Sequence, residues 1–252
     1  MMDSEANPWE MVLAHRFDEA ASLYEVKLRA SPGDCGLLSA HGTAMLGMGN
    51  LSAALDDFMR ANANWQGRCQ GDSHPYLLDV GMVFWLLGKV REGVAAFKTA
   101  VDGILDGSIG YGDLAGGVSQ GLLLWYAGIT APDAGASEHA LKYLRKLAGK
   151  SRIQYWPGPL ALFALGESSE EEVLQKACGV GQLDAAEEEA NKNLLKRRHL
   201  VNSLFYFGVR QRVNGSEEQC RQWMRRCFAL ENPIVECEWY LARGEVAAAG
   251  ER

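Results

Sequence analysis

Four groups of residues have types and spacings that could do chemistry. Residues 107–128 read GSIGYGDLAGGVSQGLLLWYAG, and Gly110-Tyr111-Gly112-Asp113-Leu114-Ala115 within them fits G-x-G-x-x-G/A. In that loop, glycines let the backbone approach the pyrophosphate of a dinucleotide. Cys220 and Cys227 stand seven residues apart, on one face of a helix, where they could form a thiol pair. Glu170, Glu171 and Glu172 are adjacent carboxylates, the group used in general acid–base work. His15, His41, His74, His139 and His199 are the side chains that hold metals or move protons near neutral pH.

Each group also has a structural reading. A dinucleotide loop needs a strand before it and a helix after it. The preceding segment, Glu92 to Ile104, has helical periodicity, so no strand is on offer. Gly107, Gly110 and Gly112 then read as a long turn, and Asp113 as an N-cap. Gly116, Gly117 and Gly121 read as small contacts inside the next helix, each at a cost of about 1 kcal/mol relative to Ala. Cys220 and Cys227 read as reduced, packed residues, because free Cys behaves as a small hydrophobe. The three glutamates follow Ser168 and Ser169 at a helix start, where negative charge suits the helix dipole. Glu188 stands four residues before Lys192, the spacing of an exposed helix pair. The histidines form no H-x-x-x-H and do not sit at ligand spacing from a cysteine, so no metal site is expected. There is no G-x-S-x-G, P-loop lysine or kinase signature. The expectation is a protein without cofactor or catalytic residues.

Composition bounds the partners. The chain has 252 residues and a net charge of -7. Nucleic-acid and anionic-membrane binders draw affinity from lysine and arginine, so neither partner is expected. An acidic surface speeds encounter with a basic protein. The start, MMDSEANPWEMVLAH, has neither the basic nor the apolar region of a secretory signal. Apolar runs such as Gly121 to Ile129 are too short to span a bilayer. The six cysteines include no C-x-x-C, and reduced thiols in a cytoplasmic protein are expected.

The elements that position these residues repeat. Phe17, Ala20 and Tyr24, closed by Pro32, recur about 34 residues on as Leu51, Ala54 and Phe58. Gly42 and Gly49 precede this second set. A third copy has Gly81, Phe84, Gly88, Val90, Phe97 and Ala100, after an insertion rich in Gly, Asp and Pro. A fourth has Gly121, Leu124 and Gly128, then the loop TAPDAGAS, then Ala140, Leu144 and Leu147. A fifth is shortened, Trp156 to Gly166 and SSEEEVLQKA; a sixth has Gly208, Gly215, Cys220, Met224 and Cys227. This pattern resembles the tetratricopeptide repeat (TPR). In addition, WPGPLALFALG, LFYFG and IVECEWYLA resemble the tail of NlpI-type bacterial TPR lipoproteins, which bind proteases and cell-wall hydrolases as adaptors. The chain differs from those in having no signal peptide and no lipid-acceptor cysteine near its start.

The resemblance implies an all-α, right-handed TPR-like solenoid of helical hairpins forming a single domain, 1–252. Repeats fall near 1–33, 34–67, 74–104, 113–149, 153–180 and 185–232, with a capping helix at 233–250. Each hairpin buries its apolar face only against its neighbours. In such arrays the first helices line a concave groove, and the residue four after the signature glycine faces it. Those positions are Leu46, Trp85, Trp125 and Arg212, with Phe163 as counterpart in the fifth unit and Met82 and Tyr126 adjoining. Trp, Tyr and Arg dominate binding hot spots. The same aromatic spacing also suits burial against the next helix, so Trp85 and Trp125 fit groove and core equally. The expected function is non-enzymatic protein binding as an adaptor, chaperone or inhibitor. Alternatives are an immunity protein that neutralises a cognate bacterial toxin, and an enzyme using Cys220/Cys227 or the Gly110 loop.

Overall fold

A computed structural model describes residues 7–65, 76–131 and 133–250. The Gly/Asp/Pro-rich insertion, with Cys69 and His74, lies outside them. Among the described residues the chain forms fourteen α-helices and one short 3-10 helix, and no strand. They run α1 (Pro8–Leu13), α2 (Phe17–Ala30), α3 (Cys35–Gly47), α4 (Leu51–Asn64), α5 (Leu77–Leu86), α6 (Val90–Asp106), α7 (Val118–Thr130) and α8 (Ala134–Ala148). A 3-10 helix (Ser151–Gln154) leads to α9 (Gly158–Leu165), α10 (Glu170–Cys178), α11 (Leu183–Lys192), α12 (Leu194–Val213), α13 (Glu217–Ala229) and α14 (Cys237–Ala248).

Helix ends follow side-chain capping. Asp34 Oδ1 accepts from Leu37 N at 2.9 Å to open α3. Ser169 and Glu172 form a reciprocal capping box at α10, so the glutamate cluster is a helix start, as its sequence setting indicates. Gly107 closes α6 at φ +79°, a left-handed position where a side chain would be strained.

Successive helices pair as antiparallel hairpins: α1 with α2, α3 with α4, α5 with α6, α7 with α8, and α12 with α13. One glycine sets the close approach in four of them. A methyl added at Gly42 would meet the Phe58 ring at 3.0 Å, at Gly81 the Phe97 ring at 2.6 Å, at Gly121 Leu144 at 2.7 Å, and at Gly208 Met224 at 3.0 Å. The same contact in hairpin after hairpin is the physical content of the repeat. Side-chain hydrogen bonds join helices further: His41 Nδ1 to Asp57 Oδ2 at 2.6 Å joins α3 to α4, and His139 Nε2 to Asp102 Oδ1 at 2.7 Å joins α6 to α8. The architecture is an all-α, TPR-like helical-hairpin solenoid.

Several local expectations change. Gly116 and Gly117 are not inside a helix; both have positive φ (+94° and +98°) in the turn before α7. The N-cap of α7 is Gly117 rather than Asp113, although the Asp113 carboxylate, from the turn before it, accepts from Gly117 N and Ser119 N, each at 2.9 Å. Most of the TAPDAGAS loop is helical: Asp133 Oδ1 accepts from Ala136 N at 3.0 Å and starts α8. Lys192 pairs with Glu189 at 3.4 Å, not with Glu188, and Lys196 meets the same carboxylate at 2.6 Å. Cys35 is disulfide-bonded, which departs from the expectation of reduced thiols throughout. Cys220 and Cys227 are free and fully buried. Burial pushes the Cys220 thiol up to about 11, so it is a poor nucleophile near neutral pH.

The largest departure is at the C-terminus. Helix α14 packs on α12 and α13 as a cap would, but it also crosses to α5. Gly244 lets it lie on Leu86, which a methyl there would meet at 2.9 Å. The loop between α13 and α14 reaches farther: Glu231 pairs with Arg197 at the start of α12 and lies 3.7 Å from His15 Nε2, between α1 and α2. The C-terminal loop and helix thus reach back to α1 and α5. No helix among the described residues is long and apolar enough to cross a membrane.

Candidate functional site: two clefts beside residues 234–238

Of the seven residues expected to line an open groove, most are buried, several of them against α12 and α14. Trp125 and Tyr126 are 1% and 0% exposed, and Met82, Leu46 and Phe163 are buried. Trp125 stacks on Tyr206 of α12 at a centroid distance of 6.4 Å, with the Arg210 guanidinium 5.6 Å from its ring. Tyr126 packs against Phe205 at 4.8 Å and Trp85 at 5.1 Å. Phe163 meets Phe207 at 5.0 Å. Arg212 is occupied by Glu217 and Glu245. Trp125, Tyr126 and Phe163 are core here; Leu46 and Met82 are largely buried but line the first cleft described below, and Trp85 and Arg212 are partly exposed. The reason is long-range. A stripe of large apolar residues on one face must be covered by something, and this chain supplies its own cover.

Two clefts lie on either side of residues 234–238. The first cleft, about 400 Å³, is walled by Trp9 of α1, Ser39 and Thr43 of α3, Asp79 of α5, and Val235. The second, about 470 Å³, lies between α7 and α12 and is walled by Gln120, Leu123, Trp156, Arg198, His199, Asn202, Glu236 and Glu238. They adjoin across Val235 and Cys237, which line both. The segment between them is held under backbone strain: Ile234, a β-branched residue, sits at φ +74°. Asn232 Oδ1 accepts from its N–H at 2.8 Å and helps hold it there.

The second cleft is a polar network with an aromatic wall. Trp156 stacks on His199 at a centroid distance of 4.4 Å. Its indole Nε1 donates to Asn202 Oδ1 at 3.2 Å, and Asn202 Nδ2 donates to Glu236 Oε2 at 2.9 Å. Arg198 Nε pairs with Glu236 Oε1 at 2.5 Å. His199 Nδ1 lies 3.2 Å from the Ala177 carbonyl. A carbonyl only accepts, so Nδ1 carries the proton. Burial holds the His199 pKa below its ordinary value, so the ring is neutral near pH 7 with its lone pair on Nε2.

Glu238 is 6% exposed and accepts from the Tyr206 hydroxyl at 2.8 Å. Burial, and then the nearby Glu236 charge, push its carboxyl up to about 7. Gln120 is 4% exposed, and its Oε1 has no hydrogen-bond partner. A buried acceptor without a donor costs stability.

Gln120, Arg198, Asn202, Glu236 and Glu238 were not singled out from the sequence. Two carried a signal. Gln120 interrupts the apolar run of α7, and Glu238 is a carboxylate inside IVECEWYLA. A polar residue in an otherwise apolar helix face needs a partner. By contrast, the Gly110 loop is preceded by α6 rather than a strand, so the dinucleotide context is missing there.

No family model matches the chain, and no curated protein matches it. Among solved structures, the chain is similar to the C-terminal part of a TPR repeat-containing protein from Cytophaga hutchinsonii. The two share 12% identity over 89% of this chain and 94% of that one, with a TM-score of 0.39.

Proposed function

We propose that this chain is a non-enzymatic helical scaffold that binds another protein, with a segment of the partner lying along the two clefts beside residues 234–238. The observation that carries this reading is the clefts themselves. They adjoin across Val235 and Cys237 and draw walls from α1, α3, α5, α7 and α12. Walls contributed by many helices are what a hairpin array offers an extended chain. The net charge of -7 suits a basic partner, whose encounter it would speed. Adaptor, chaperone and inhibitor roles, including neutralisation of a toxin, all use such a surface, and the scaffold reading covers each.

Val235 is 43% exposed at the junction of the clefts, so a long side chain there obstructs both. The test is affinity capture from the native host by the unmodified chain and by Val235→Arg, with thermal unfolding of both. The expected outcome is a co-purifying protein lost in Val235→Arg at unchanged melting temperature. Equal capture by both chains overturns the placement of the surface.

A further inference from the structure

The second cleft presents acceptors in excess of donors. Gln120 Oε1 is buried, unpartnered and on its wall. The Glu238 carboxylate stands on the same wall, 6% exposed, met by the Tyr206 hydroxyl rather than by a cation. The cleft's own cation, Arg198, is committed to Glu236 at 2.5 Å. Asp113 also lines the cleft, so three carboxyl groups, of which Glu238 ionises only as pH rises through about 7, face one guanidinium. Asp113 is already satisfied by the backbone of Gly117 and Ser119. The unmet capacity is therefore at Gln120, while Glu238 is met by neutral donors and by no cation.

We propose that this cleft is a socket for the cationic head of an arginine or lysine side chain carried on the partner's segment, held by Gln120 Oε1, Glu238 and Glu236. The proposal rests on the scaffold reading and adds the chemistry of the residue recognised. Guanidinium and ammonium groups only donate hydrogen bonds, so each matches a wall of acceptors. Charge-assisted bonds to carboxylate are the stronger kind. The volume of about 470 Å³ accommodates a long side chain, and Leu123, Leu195 and Trp156 line it with apolar surface for the methylene stem. An anionic head would meet Glu236 and Glu238 with no uncommitted cation to offset them.

The test is an NMR titration of the full chain with N-acetyl-arginine methylamide, N-acetyl-lysine methylamide and the neutral citrulline analogue. The arginine or lysine compound is expected to saturate with a dissociation constant of about 1 mM or tighter, within the reach of a ligand this small. It should shift the Trp156 indole and Gln120 amide signals. The citrulline analogue should bind at least about tenfold more weakly, since each tenfold is about 1.4 kcal/mol and one charge-assisted bond is worth that much. Glu238→Gln and Gln120→Leu, two variants so that one failure to fold leaves the other, should each weaken binding severalfold. Which cationic compound binds tighter separates arginine from lysine. Equal binding of citrulline, no saturation by either cation, or binding indifferent to both variants overturns the socket. If a partner is lost in Val235→Arg but retained by Glu238→Gln and Gln120→Leu, the socket fails while the scaffold reading stands.

Discussion

Arg212 on α12 grips Glu245 on α14 with both guanidinium ends, Nη1 to Oε1 and Nη2 to Oε2, each at 3.0 Å. The same Oε1 accepts from the Tyr126 hydroxyl of α7 at 2.8 Å, and Arg212 Nη1 also donates to Thr130 Oγ1 at 2.8 Å. One carboxylate therefore fastens the last helix to two first helices far apart in sequence. The Arg212 side chain is 12% exposed and Glu245 17%, so this pair is screened far less than a surface one. Fastening α14 here is what roofs the row of aromatic residues beneath it.

Removing Glu245 leaves the Arg212 charge and the Tyr126 hydroxyl short of a partner. Breaking one side of a buried pair typically costs about 3–5 kcal/mol; Glu217, at 2.8 Å from Arg212, retains part of the compensation. Glu245→Ala is expected to lose about 2–3 kcal/mol in urea unfolding, and Glu245→Gln, which still accepts, less. A midpoint unchanged in Glu245→Ala would show that α14 is not held this way.

Trp125 and Trp85 should separate. Trp125 is 1% exposed, and truncating a fully buried Trp costs about 3–5 kcal/mol. Trp85 is half-buried and packs on Tyr126 at one side, so Trp85→Ala should cost about half as much. Denaturant midpoints at constant m-value measure both. Equal and small losses would put Trp125 back on a surface.

Glu238 makes stability depend on pH. Its carboxyl titrates at about 7 in the fold and near 4.5 unfolded, so the folded state holds its proton over a range where the unfolded state has lost it. Stability linked to this group is complete below about pH 4.5 and declines as pH rises to about 7. The shift corresponds to roughly 3 kcal/mol. Glu238→Gln keeps an acceptor for Tyr206 without a charge. It should therefore be more stable than the parent at pH 8 and nearly equal at pH 4.5. The check is a pair of unfolding curves at those two values; a larger gap at pH 4.5 contradicts the assignment.

Gly117 tests the turn that replaced the dinucleotide loop. Its φ of +98° strains any side chain, and a methyl there would lie 2.4 Å from the Tyr143 hydroxyl, which donates to the Gly117 carbonyl at 3.1 Å. Gly107, at φ +79°, has open space around it. Gly107→Ala should cost about 1 kcal/mol, and Gly117→Ala distinctly more because strain and collision add. Thermal melts of the two variants give the comparison; similar losses would mean that Tyr143 yields freely.

How much of this was legible in the sequence depends on range. Hairpins were legible because the forces that form them are local: Gly81 beside Phe97 and Gly208 beside Met224 are short-range pairs that recur with the repeat. The burial of Cys220 and Cys227 followed from the same register. The cover over Trp125 and Tyr126 was not legible. It depends on Gly244 meeting Leu86 and on Glu245 meeting Tyr126 and Arg212, contacts that carry α14 back to α5, α7 and α12. A row of large residues on one helix face reads the same whether a partner or the chain's own tail covers it, since both bury the same apolar area. Likewise, Gln120 and Glu238 were visible as polar residues in apolar runs, but only tertiary packing set them on the wall of one cleft, where the protein's own donors are already committed elsewhere. The periodic sequence thus determined the hairpins and their faces. The closure of the array decided which part of those faces is core and which remains open to a partner.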